Sequence, residues 1–314
     1  MRNTLQFGVI YRSVELLVPR DCVARNRGAD FVQCLVPPRS ARRNKALDPT
    51  ALVGCPQASL LPSAVLAGQR RDWLLRMNKI FNTCYMCDAL ATSSEHVPAK
   101  CFFPERKDLP NGIDLRKNLI KVPSCNAHNS LKSHDDEYFL YVLSGSYQIN
   151  EIGRNLYRTK VRRAIGRNPS VLNQIASKAT SVSFKDPPSQ NIVNTVAHEL
   201  DANRFNTIVD KLGRAIYFWH FKEKWQYKIK YQAEFLFATV NPSDAENSRL
   251  QEITKQADVW FSTAVYYGEN PEVFKYQAVE AEKLRRIRLH FYERCKLLLI
   301  FNSQQVASAD ASHR

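Results

Sequence analysis

Apolar and polar positions alternate along this chain in three distinct styles, and each predicts a different kind of element. From Asp135 to Leu143 aromatic and aliphatic residues fall on one helical face, and Leu156, Val161 and Ile165 continue that spacing from Glu151 to about Arg167. Pro169 and Asp186-Pro187-Pro188 interrupt the pattern. Between Ile192 and about Trp219, the residues Val193, Val196, Leu200, Phe205, Ile208, Val209, Leu212 and Ile216 predict a long amphipathic helix. The last third reads as strands. Val259–Tyr267, a turn at Gly268–Pro271 and Val273–Tyr276 predict a hairpin. Ile287–Tyr292 alternates, and Lys296–Phe301 is a run suited to a buried strand. An α+β protein follows, with helices ahead of a C-terminal antiparallel sheet.

The first 76 residues lack any sustained period. They contain eleven Arg but one Lys (Lys45), whereas residues 77–314 contain eighteen Lys and fifteen Arg. A basic disordered arm is one reading of residues 1–76. A non-native extension, with the protein starting at Met77, is the other, and the lopsided Arg usage favours it. The remaining divisions are a module at 77–145, a helical and β region at 146–301 and a frayed tail at 302–314.

A formal charge of +15 and a pI near 9.5 point to a polyanionic partner, most simply nucleic acid. No apolar run reaches the ~18 residues of a membrane span, and no secretory signal is apparent. Of eight cysteines, three fall in two short motifs and the rest are scattered. That is not a disulfide framework, so a reducing, cytoplasmic compartment is expected.

Those motifs are Cys84-x-x-Cys87 and Cys125-x-x-His128. Two such turns, tens of residues apart, have the spacing of one closed tetrahedral zinc site with a structural role. Between and beside them lie Glu95-His96-Val97-Pro98, Asn118-Leu119-Ile120 and Asn129. A histidine titrating near neutrality suits a general base, so His96 is the candidate to activate water. Glu95 and Asn129 offer oxygen ligands to a hard cation, Mg²⁺ or Mn²⁺. Asn118 is the candidate to fix the His96 ring, and Pro98 to end a first strand.

The string from Cys84 to Lys132 resembles an HNH endonuclease, the zinc-stapled branch of the ββα-metal nucleases. The resemblance implies a general-base role for His96, an orienting role for Asn118 and a metal ligand in Asn129, with Glu95 joining the metal. His128 stands where the family usually has a fourth cysteine, a mild change because Cys₃His is an ordinary zinc set. The implied activity is metal-dependent hydrolysis of phosphodiester bonds in nucleic acid, DNA before RNA. A zinc-stapled binding module without catalysis, or an RNA-directed nuclease, would use many of the same residues.

Plainer roles exist for each candidate. His96 would serve as a core histidine, Asn118 as the start of a strand and Asn129 as a helix cap. His134, Asp135 and Asp136 suit an acidic helix start. Cys101, His198, His220 and His290 sit in apolar text. The basic runs Arg158–Arg163 and Lys283–Arg288 would lie on solvated faces, or would supply salt-sensitive phosphate contacts with Tyr157 and Tyr227 near them.

Overall fold

A computed structural model describes residues 82–129, 133–167, 180–185, 191–198, 200–236, 244–281 and 284–302. The Arg-rich segment 1–76, the lead-in Met77–Phe81, Lys132, the interruptions at Pro169 and Asp186–Pro188, and the tail after Asn302 lie outside them. The first strands among the described residues form a two-stranded antiparallel unit, β1 (Ser93–His96) against β2 (Lys121–Ser124), and a short helix α1 (Asn126–Asn129) follows directly. Next come α2 (Ser133–Ser144) and α3 (Glu151–Leu156), which runs through a π-helical turn (Tyr157–Val161) into α4 (Arg162–Arg167). A hairpin of β3 (Thr180–Lys185) and β4 (Ile192–Ala197) precedes α5 (Ala202–Phe221), β5 (Lys230–Ala233) and α6 (Asp244–Trp260). The strands β6 (Tyr266–Asn270), β7 (Phe274–Ala281), β8 (Leu284–Phe291) and β9 (Cys295–Asn302) are the last of the described elements. Together with β5 they form one antiparallel sheet in the order β5-β9-β8-β7-β6. The expected α+β class with a C-terminal antiparallel sheet is therefore present.

Two predicted elements differ. The helix expected from Ile192 begins only at Ala202, where the Asp201 side chain accepts from the Arg204 N–H at 3.0 Å. Ile192–Ala197 instead pairs with β3. That stretch is rich in β-branched residues, and a run of apolar text fits either period until a strand partner decides it. Likewise Val259 and Trp260 end α6 rather than start a hairpin, and the strand begins at Tyr266. Gly268 lies inside that strand at φ 124, where a Cβ would stand 2.9 Å from the Phe274 carbonyl oxygen, so the backbone there needs glycine.

Alternation along β8 divides the sheet's two faces. Ile287, Leu289 and Phe291 are fully buried in the main core with Phe205, Val209 and Ile216 of α5. Arg286, Arg288 and His290 point the other way. There, Arg288 meets Glu234 at 2.8 and 2.5 Å and Asp258 of α6 at 2.6 Å. Gly213 lets α5 approach closely, since a Cβ would fall 2.9 Å from Ile229 Cδ1.

The long connection from β1 to β2 joins this core. Phe102 stacks edge-on with Phe139 at 5.7 Å and with Phe291 at 6.1 Å. The buried Tyr292 hydroxyl donates to the Phe102 carbonyl at 2.7 Å. The β1–β2 unit is thus seated on the sheet through aromatic packing worth roughly 0.5–1.5 kcal/mol per ring pair beyond area burial.

Candidate metal centre

The first knuckle is a tight reversal. Cys84 N–H donates to Ala89 O at 2.8 Å, Ala91 N–H to Asn82 O at 3.0 Å, and Met86 N–H reaches Cys84 Sγ at 3.5 Å. Tyr85 N–H and Thr92 N–H donate to Pro123 O and Ser124 O at 2.9 and 3.0 Å, which ties the knuckle to β2. The second knuckle starts as β2 ends. His128 and Asn129 N–H both donate to Cys125 O, at 3.1 and 3.0 Å, so Cys125 and His128 sit one helical turn apart.

The four side chains converge. His128 Nδ1 is 3.4 Å from Cys84 Sγ, 3.6 Å from Cys87 Sγ and 3.2 Å from Cys125 Sγ, and Cys87 Sγ is 3.8 Å from Cys125 Sγ. All four donor atoms lie within 4.8 Å of one another. Zinc bonds of about 2.3 Å to sulfur and about 2.0 Å to nitrogen give tetrahedral edges of roughly 3.8 Å (S···S) and roughly 3.5 Å (S···N). The group can hold a metal ion, with His128 ligating through Nδ1. Burial disfavours the Cys84 thiolate, yet the N–H groups of Met86, Cys125 and Cys87 outweigh it and hold the thiol below its usual range.

One supporting residue carries no signal in the sequence. Lys224, between α5 and β5, donates from Nζ to Cys87 O at 2.7 Å, to Thr83 Oγ1 at 2.8 Å and to Asp88 Oδ1 at 3.2 Å. It braces the first knuckle from the other half of the chain.

The remaining candidates lie around β1. Asn129 Nδ2 donates to Ser93 Oγ at 2.8 Å, and Thr92 Oγ1 donates to Asn126 Oδ1 at 2.9 Å, so α1 lies along the start of this strand. Strand alternation puts Ser93 and Glu95 on one face, which brings Glu95 to the side that Asn129 touches. Glu95 is only 4% exposed. Its neighbour is Tyr85, whose phenol is pushed well above its usual pKa by burial first and by the Glu95 charge next.

His96 ends β1 on the opposite face, directly across from Lys121 in the register. It is half-buried. Burial, then the positive charges of Lys121 and Lys100, hold its imidazole below the usual range. Asn118 occupies the turn before β2 at φ 50, a left-handed backbone that Asn tolerates better than most residues. Two residues on, the Ile120 carbonyl accepts from the Val97 N–H at 2.9 Å. Among the described residues the Asn118 side chain makes no hydrogen bond. The structure thus brings together the four knuckle ligands, and it sets Asn129 against Ser93, two residues before the buried Glu95. His96 faces Lys121, and Asn118 stands at the turn.

No protein-family model matches this sequence, and no curated protein or solved structure is similar enough to it to count as a match. No helix among the described residues is long and apolar enough to cross a membrane.

Proposed function

We propose that the chain is an HNH-type, metal-dependent endonuclease acting on nucleic acid, DNA before RNA, with zinc in the Cys84, Cys87, Cys125 and His128 site. One observation carries the reading. An antiparallel pair and a short helix, β1–β2–α1, are held behind a Cys₃His donor set, and a half-buried histidine ends the first strand. Four protein ligands leave the zinc no open position, so its role is to clamp.

The chemistry falls to His96. Burial first, and then the charges of Lys121 and Lys100, disfavour its protonated form, which leaves a ring nitrogen to take a proton from water. Lys121 and Lys100 beside it attract a phosphodiester. Glu95 and Asn129 suit a hard divalent cation in donor chemistry, and a bound Mg²⁺ or Mn²⁺ would supply charge stabilisation for the departing 3′-oxygen. Asn118 holds the left-handed turn two residues before Ile120, whose carbonyl pairs with the Val97 N–H next to His96.

A second reading has its own support. Glu95 is deeply buried beside Tyr85, and the Asn129 amide is engaged with Ser93. Both residues therefore have structural uses, which favours a non-catalytic, zinc-stapled nucleic-acid-binding module. Plasmid nicking with and without Mg²⁺ or Mn²⁺ separates the two. Cleavage that needs the cation supports the nuclease, and its absence at all cation concentrations supports the binding module.

A further inference from the structure

Where α6 gives way to β6, apolar side chains stand in solvent. Val259 is 72%, Val265 66%, Tyr266 53% and Trp260 36% exposed. Exposed apolar groups gathered in this way mark a binding surface more often than chance. Both aromatic rings carry a cation. Lys275 Nζ lies 4.4 Å from the Tyr266 ring centroid, and Arg286 Cζ lies 4.3 Å from that of Trp260.

The two ring–cation pairs share one side of the sheet and flank the buried Gln277 and Arg288 between them. Tyr266 pairs with Gln277 and Val279 with Arg286, so alternation points Tyr266, Lys275 and Arg286 to the same face. The link between the rings is pinned, because Gln277 Nε2 donates to the carbonyls of Phe261 and Ala264 at 3.0 and 2.9 Å. Strand spacing sets Lys275 and Arg286 roughly 14 Å apart. Among the described residues, the Asp258 carboxylate on this side is held by Arg288 and Lys296 at 2.6 and 3.6 Å.

We infer that this face of Trp260, Tyr266, Lys275 and Arg286 is a stacking platform for single-stranded nucleic acid. The inference rests on the nucleic-acid reading above and names the form of substrate that the C-terminal sheet engages. Aromatic rings interleaved with cations match unstacked bases on a phosphate backbone. A duplex keeps its bases stacked inside and offers these rings nothing. A second copy of a chain charged +15 would bring cations against cations.

The test uses the full chain without added divalent cation, so that nothing is cleaved. Binding of a fluorescein-labelled oligodeoxythymidylate and of a duplex of equal length is read by anisotropy. The double variant Trp260→Ala/Tyr266→Ala is expected to lose at least tenfold in affinity for the single strand, and far less for the duplex. Trp260→Phe/Tyr266→Phe, which keeps the rings, should stay within threefold of the parent. Circular dichroism checks that each variant is folded. Single-strand binding by the Ala variant within twofold of the parent overturns the inference, as does equal loss for both ligands. A parent dimer that the Ala variant dissolves in light scattering also overturns it, by making the face a contact between copies. Failure of the nuclease reading looks different: the platform variants weaken binding as expected while the parent never nicks plasmid with any divalent ion.

Discussion

Lys224 Nζ lies 2.7 Å from the Cys87 carbonyl oxygen, a bond that spans 137 residues of sequence. Through it, and through Thr83 and Asp88, a side chain between α5 and β5 fixes the loop that presents two of the four metal donors. Replacing Lys224 by Met keeps the stem and removes the charge. Metal affinity should fall about tenfold, the lower end for supporting groups around a metal site. Competition with a chromophoric chelator reads this directly, and an affinity within twofold of the parent would contradict it.

The metal itself should hold the β1–β2 unit together. Structural zinc contributes folding energy outright, and the second knuckle joins β2 to α1. Cys125→Ser, or chelation of the parent, is expected to lower the thermal midpoint and expose the buried Tyr85. Equal midpoints with and without chelator would mean that the cluster holds no structural ion.

On the opposite face of the sheet, Arg288 and Glu234 are each only 3% exposed in their side chains. Arg288→Met would leave the Glu234 carboxylate buried without its partner, at a cost of about 3–5 kcal/mol. Removing both charges, with Glu234→Leu added, should cost less than the single change. Urea denaturation of the three proteins checks the order. A double variant less stable than Arg288→Met would contradict this account.

Asp108 gives a pH dependence. The bidentate hydrogen bonds from Arg163, at 2.9 and 2.7 Å, hold its carboxyl below the usual range. A depressed folded-state pKa contributes stability above the unfolded value of about 3.9, and that stability is lost as pH falls through the folded one. Asp108→Asn should therefore be less stable than the parent at pH 6, and the gap should close below about pH 4. A gap that stays constant from pH 6 to pH 3 would rule out this linkage.

What could be read from the sequence followed the range of each interaction. The knuckles are local: Cys84 with Cys87, and Cys125 with His128, are fixed by turns a few residues long, and their spacing was enough to predict the cluster. The strands β8 and β9 were legible because their alternation and apolar run matched the pleat. Ile192–Ala197 was not, because its apolar positions fit a helix as well as a strand until β3 supplied hydrogen bonds. α6 was missed for the reverse reason, since its apolar end at Val259-Trp260 ran straight into strand text. Lys224 carried no mark at all, one lysine among many, and only the fold brings it to Cys87. The Trp260 and Tyr266 surface was likewise invisible, because sheet register and helix end meet there. Glu95 beside Tyr85 was hidden too, as Tyr85 is one of the unspecified residues inside Cys84-x-x-Cys87.

We propose His96 as the base of a nuclease clamped by the Cys/His cluster. Nicking of supercoiled plasmid in Mg²⁺ or Mn²⁺ by the parent and by His96→Ala, each with its zinc content determined, tests that role. Cation-dependent nicking by the parent is expected, with a loss of at least 100-fold in His96→Ala, in the range for a positioned general base, and with zinc unchanged. Full activity in zinc-loaded His96→Ala, or no nicking by the parent under any of these conditions, would contradict it.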